Sequence, residues 1–67
     1  MTLKQLSNSH INRLIDEWIH SERDRKIIKR RFIDGIIYEK IAEEFDLSVT
    51  RIKTIIYKAE NILYEHI

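Results

Sequence analysis

Thr50, Arg51, Lys53, Thr54, Tyr57 and Lys58 fall within one short stretch, and at about 3.6 residues per turn they share one side of a helix. Hydroxyl, guanidinium and ammonium groups on one face make a row of donors and positive charge, suited to phosphate oxygens, base edges and thymine methyls. The same chemistry fits an ordinary solvated helix face, so the neighbouring elements decide between the two. Tyr38 to Phe45 carries Ile41, Ala42 and Phe45 on one helical face. Asp46-Leu47-Ser48 breaks that period, with Leu47 able to plug a core and Ser48 suited to cap a new helix. Val49 to Ala59 resumes it, turning Ile52, Ile55 or Ile56, and Ala59 inward. Two short helices joined by a tight turn, the second displaying donors, is the geometry that lays a helix in a DNA major groove.

A second cluster of basic groups lies upstream. Arg23, Arg25, Lys26, Lys29, Arg30 and Arg31 share a segment in which Asp24 is the one acid. Helical spacing puts Arg23, Lys26 and Arg30 on one stripe, a candidate phosphate-binding surface that would strengthen binding without reading sequence. The alternative is a solubilising face with i, i+4 pairing to acids such as Glu22. The next helix is acidic, with Glu39, Glu43 and Glu44 followed by Asp46. The formal net charge of +1 therefore hides a local polarity.

Other chemistries find no support. His10, His20 and His66 are scattered, without an i, i+4 pair or an acid at ligand spacing, so no metal site is expected. Glu43 and Glu44 are adjacent, and adjacent helical side chains diverge, which does not suit acid–base catalysis. No glycine-rich phosphate loop and no Ser/His/Asp grouping occurs. Neither an enzyme nor a cofactor is expected.

The elements that would position these residues are all helical. Sixty-seven residues with one Gly and no Pro imply one small all-α domain, near the lower size limit for folding without disulfides or metal. The absence of Cys fits a cytoplasmic setting, and no apolar run or leader pattern points to a membrane. Residues 1–7 carry no pattern that assigns them to an element. From Asn8 or Ser9, Ile11, Leu14, Ile15, Trp18 and Ile19 mark an N-terminal helix over about 8–20, with Trp18 expected in the core. Ser21 and Asp24 resemble a capping box for a second helix ending near Ile33, which would bury Ile27 or Ile28, and Phe32. Gly35 suits the left-handed position that closes it. A three-helix core over about 22–60 follows, and its last helix continues through Ile62, Leu63 and Tyr64 to about residue 66.

The stretch RDRKIIKRRFIDGIIYEKIAEEFDLSVTRIKTIIYKA resembles region 4 of the sigma-70 family and the related LuxR-type helix-turn-helix. The likeness rests on the Arg, aromatic, Gly, Ile-Ala, Ser and Ile-Lys positions and covers about residues 23–63. It departs at Ile37, where the family usually carries a capping Ser or Thr, and at Asp46, where many members have Gly. The resemblance implies a compact four-helix fold, a three-helix helix-turn-helix core plus the N-terminal helix. It implies double-stranded DNA contact at Thr50, Arg51, Lys53 and Thr54, often at Tyr57, and internal pairing of Arg31 with an acid such as Glu43. It extends to small stand-alone regulators of bacteriophages and mobile elements. With no room for a promoter-melting domain, the expectation is a transcriptional regulator or an accessory beside RNA polymerase. The competing class is a protein–protein module of the same fold that binds RNA polymerase or another regulator.

Surplus apolar residues form a last candidate site. Ile55 and Ile56 are adjacent, so one helix face should not bury both, and Ile62, Tyr64 and Ile67 add a further stripe. A homodimer through Ile55, Ile62, Tyr64 and Ile67 would use this surface. The N-terminal helix is the rival cover for it.

Overall fold

The computed structural model describes residues 5–67, and the expectation for residues 1–4 lies outside that range. Four helices follow one another: α1 (Asn8–Trp18), α2 (Glu22–Phe32), α3 (Tyr38–Phe45) and α4 (Val49–Tyr64). Three start on a serine whose side chain accepts an otherwise unpaired amide: Ser7 from His10 N, Ser21 from Asp24 N and Ser48 from Arg51 N. Each such cap is worth about 1 kcal/mol. The fourth, α3, starts at Ile37 without a side-chain cap, and the Ile37 side chain is largely exposed.

Two left-handed residues make the turns. Gly35 has φ +70 and lets the chain leave α2, where Ile36 N donates to Arg30 O at 3.0 Å. Asp46 has φ 55, and the following Leu47 N donates back to Ala42 O at 2.9 Å. That bond closes α3 in the manner of a Schellman motif, with Asp doing the work usually left to Gly. Three residues then separate α3 from α4.

The core has two lobes. Ile11, Leu14 and Ile15 of α1, with Ile19 just after it, pack with Ile28, Ala59 and Leu63. Ile41 and Ala42 of α3 pack with Ile27, Ile52, Ile55 and Ile56. The adjacent pairs are therefore split or shared rather than half wasted. Ile27 enters one lobe and Ile28 the other, and both are fully buried. Ile55 and Ile56 are both buried in the α3 lobe. This corrects the expectation that a single helix face leaves one of each pair outside. Each of α2 and α4 touches all three other helices, so its buried arc is wider than a surface helix's stripe.

Trp18 also departs from expectation. It is 37% exposed and lies face to face with His66, ring centroids 3.5 Å apart and nearly parallel. As the last residue of α1 it falls at the edge of the apolar stripe, and Ile19 takes the buried place beside it.

Candidate nucleic-acid interface

The local sequence aims α4. Ser48 starts the helix, and Ile52, Ile55, Ile56 and Ala59 anchor its inner side. Thr50, Arg51, Lys53, Thr54, Tyr57 and Lys58 are all left exposed on the outer side, as the spacing predicts. The Arg51 and Lys58 side chains have no partner among the described residues. The Thr54 hydroxyl donates to Thr50 O at 3.0 Å, so what Thr54 offers outward is its methyl group and an acceptor lone pair. Tyr57 is 52% exposed.

Beside this face stands a cluster that the sequence did not reveal. The Arg31 guanidinium carbon lies 4.3 Å from the centre of the Tyr38 ring, and Lys53 Nζ lies 5.8 Å from the same centre. Arg31 Nη1 also donates to Ile36 O at 3.1 Å. Burial pushes the Tyr38 phenol above its ordinary value against the pull of Arg31, with Tyr57 raising it further. Tyr38, the first residue of α3, therefore brings a cation from α2 and a cation from α4 to one ring. The expected pairing of Arg31 with Glu43 does not occur. Adjacent positions diverge on a helix, and it is Arg30 that faces the acidic side of α3.

Arg30 makes a forked contact with Glu44. Nε donates to Oε1 at 3.0 Å, Nη2 donates to Oε2, and Nη1 reaches Asp34 Oδ2 at 3.0 Å. The hydrogen bonds to Glu44 and then Asp34 hold the Arg30 proton more tightly than usual. The hydrogen bond from Arg30 in turn holds the Glu44 carboxyl below its ordinary range.

The rest of the α2 basic run is engaged as well. Lys29 Nζ pairs with Asp16 Oδ1 of α1 at 2.8 Å. Arg25 Nη1 donates to Ile19 O at the end of α1. Arg23 pairs with Asp24 at 3.3 Å and Lys26 with Glu22 at 3.7 Å. Of the expected phosphate stripe, Arg23 and Lys26 stay exposed in weak neighbour pairs, whereas Arg30 is committed to the α2–α3 joint. Acids far along the chain are the partners the sequence left unseen.

The family model described as sigma-70, region 4 matches residues 21–64. The chain belongs to the sigma-70 region 4 family. The match opens at the Ser21 cap and closes at the end of α4, so it spans the three-helix core and leaves α1 outside. Comparison with curated proteins and with solved structures found no match. Region 4 domains are helix-turn-helix domains of the DNA-binding type, and α3, the left-handed turn and α4 are that motif here. Among the described residues no group of His, Cys, Asp or Glu is arranged to hold a metal, and no helix is long and apolar enough to cross a membrane.

The apolar candidates for a dimer separate in the structure. Ile55 is buried within its own chain and Ile62 packs partly against the α1 lobe. The expectation that Ile55 lies on a shared surface is corrected, because the α3 lobe encloses it. Tyr64 and Ile67 stay exposed.

Proposed function

We propose that this sigma-70 region 4 domain is a sequence-specific DNA-binding transcriptional regulator that places α4 in the major groove. The observation carrying the reading is the contrast in charge use. Arg25, Lys29 and Arg30 of α2 are spent inside the fold, while Arg51 and Lys58 of α4 have no partner among the described residues, beside Lys53. An exposed helix with free cations, threonine methyls and a tyrosine suits phosphate and base-edge contact. A gel shift at two salt concentrations tests it. Each phosphate contact contributes about 0.9 to the slope of log affinity against log salt, so DNA binding must weaken steeply as salt rises. Binding that ignores salt, or no binding at low salt, removes the reading.

A second reading has its own support. Ile37 is 60% exposed at the start of α3, close in sequence to Tyr38, and Tyr57 is exposed on α4. Uncovered apolar side chains on the motif surface favour a protein partner, RNA polymerase or another regulator. Affinity for such a partner with no salt-sensitive DNA binding would decide for it. A homodimer is a further part of the proposal and rests on Tyr64 and Ile67. It would set two α4 helices about 34 Å apart on a two-fold symmetric site. Light scattering tests it: a monomer mass at micromolar concentration removes the dimer.

A further inference from the structure

At the edge of the outer face of α4, an aromatic ring takes the place that carboxylates take elsewhere in the fold. Lys29 is held by Asp16 and Arg30 by Glu44, and both charges are neutralised by their partners. Arg31 and Lys53 instead meet at Tyr38, and among the described residues neither forms an ion pair. A ring attracts a cation through its negative face but carries no net charge. A lysine held in this way keeps its full charge and its N–H donors for an outside partner.

The two cations are not held alike. The Arg31 guanidinium carbon is 4.3 Å from the ring centre, and Arg31 Nη1 also donates to Ile36 O at 3.1 Å. Lys53 Nζ, at 5.8 Å, lies near the limit of about 6 Å at which the attraction counts. Arg31 therefore pins the ring, while Lys53 is the cation able to leave it. Tyr38 is fixed from two further sides, because it packs against the α3 lobe and its phenol neighbours that of Tyr57 on α4. Lys53 is exposed, and its long flexible stem would otherwise sample many rotamers. Attraction to the ring and repulsion from Arg31 together confine its ammonium before any ligand arrives.

We infer that Tyr38 is a positioning residue for the DNA-binding face: its pinned ring holds the Lys53 ammonium, still charged, where α4 meets the duplex. The inference rests on the DNA-binding reading and gives a role to a residue on α3 that itself need not touch DNA. Holding a flexible side chain in place raises affinity by lowering the cost of ordering it on binding. A cation–ring contact at an exposed site corresponds to about a two- to fivefold change in an equilibrium constant.

The test is a double-mutant cycle on the affinity of the full chain for a mixed-sequence DNA duplex at low salt. Tyr38→Leu removes the ring, keeps an apolar side chain, and should weaken binding about two- to fivefold. Its slope of log affinity against log salt should match the parent's, since no cation is lost. In the Lys53→Ala background the same substitution should have no further effect. Tyr38→Phe keeps the ring, loses the hydroxyl, and should bind like the parent. Proton magnetic resonance adds a measurement on the free parent. There the Lys53 side-chain methylenes should be shifted upfield of those of a free lysine, because they lie over the ring.

If the parent binds no duplex at low salt, this inference falls together with the DNA-binding reading. If the parent binds duplex in a salt-sensitive way, that reading stands and several results overturn the inference alone. One is Lys53→Ala binding as well as the parent. Another is Tyr38→Leu weakening binding by the same factor with and without Lys53, the mark of a purely structural role or of a direct contact. Tyr38→Leu binding no worse than the parent, or Tyr38→Phe binding as weakly as Tyr38→Leu, also overturns it. Lys53 methylenes at free-lysine positions do the same. If Tyr38→Leu does not melt cooperatively, Tyr38→Phe and the Lys53 resonances of the parent decide.

Discussion

Helices α2 and α4 are both basic in sequence, and the fold uses them in opposite ways. On α2, Lys29 reaches Asp16 on α1, Arg30 grips Glu44 on α3, and Arg25 caps the end of α1. On α4, the side chains of Arg51 and Lys58 make no hydrogen bond or ion pair among the described residues, and Lys53 nears the ring of Tyr38. The difference follows from position. The α2 helix touches α1, α3 and α4, so charges along its flanks meet acids from neighbouring elements. Among the described residues, no ion pair joins the outer face of α4 to another helix. A basic run is therefore a poor guide to which cations are free for an outside partner until the pairings within the fold are known.

The contrast can be broken most severely through the core. Ala42 is buried where α3 meets α4, and Ala42→Leu should overpack that lobe at a cost of about 1–3 kcal/mol. For so small a chain this is a large share of total stability. Melting temperature and DNA binding should fall together, which gives the signature of plain unfolding. A cooperative melt unchanged by Ala42→Leu would contradict the packing described.

Against that signature, Lys53→Ala and Arg51→Ala should each weaken DNA binding by about 1–3 kcal/mol where they read a base. Melting should barely move, because both side chains are exposed. Titration of DNA beside thermal melting separates the two effects. If both variants bind every DNA tested as well as the parent, α4 is not the reading surface.

Ile37→Ser probes the motif without altering either basic helix. A serine there would accept the Lys40 amide, as Ser7, Ser21 and Ser48 accept theirs, in place of the bond that Lys40 N now makes to Ile37 O at 3.1 Å. The gain should be about 1 kcal/mol, as for an ordinary cap, or a rise of roughly 4–8 °C in melting temperature for a domain of this size. Little is lost in exchange, since Ile37 is largely exposed. No rise would mean that the start of α3 is held by something other than its cap.

Local signals carried most of the fold. Ser21, Gly35, Asp46 and Ser48 mark their helix ends in sequence and do so in the structure. The outer face of α4 was equally legible, because a helical period fixes which side chains oppose Ile52 and Ile56. What the sequence hid depends on which helices face each other. Ile27 and Ile28 looked like rivals for one face, whereas α2 borders two lobes and needs both. Arg30 looked like a phosphate contact because its partner Glu44 lies fourteen positions along the chain. Arg31 looked like an internal ion pair, yet it joins Tyr38 and Lys53 at the edge of the outer face of α4. No periodicity argument reaches such pairings, since they are set by tertiary docking and not by spacing within one helix.

The smallest expected effect tests the α2 side of the comparison, through the Arg30–Glu44 joint. Glu44 has its carboxyl held below the ordinary range, first by the hydrogen bond from Arg30. A carboxyl with a lowered folded value stabilises the native state at every pH above its unfolded value, about 4.3 for a free glutamate. That contribution is lost as pH falls through the lower folded value. Glu44→Gln should therefore melt slightly below the parent at neutral pH, and the gap should close in acid once the parent's carboxyl is protonated. The effect is modest because the pair is partly exposed to solvent, which screens it. Thermal melts of both proteins from neutral pH down to about pH 3 cover the range in which such a carboxylate titrates. A gap at neutral pH that closes in acid identifies Arg30 as a tie between α2 and α3. Equal melting at all pH values would mean that the joint contributes nothing to the fold. Arg30 would then be free to turn towards DNA, and the division of labour between the two basic helices would not hold.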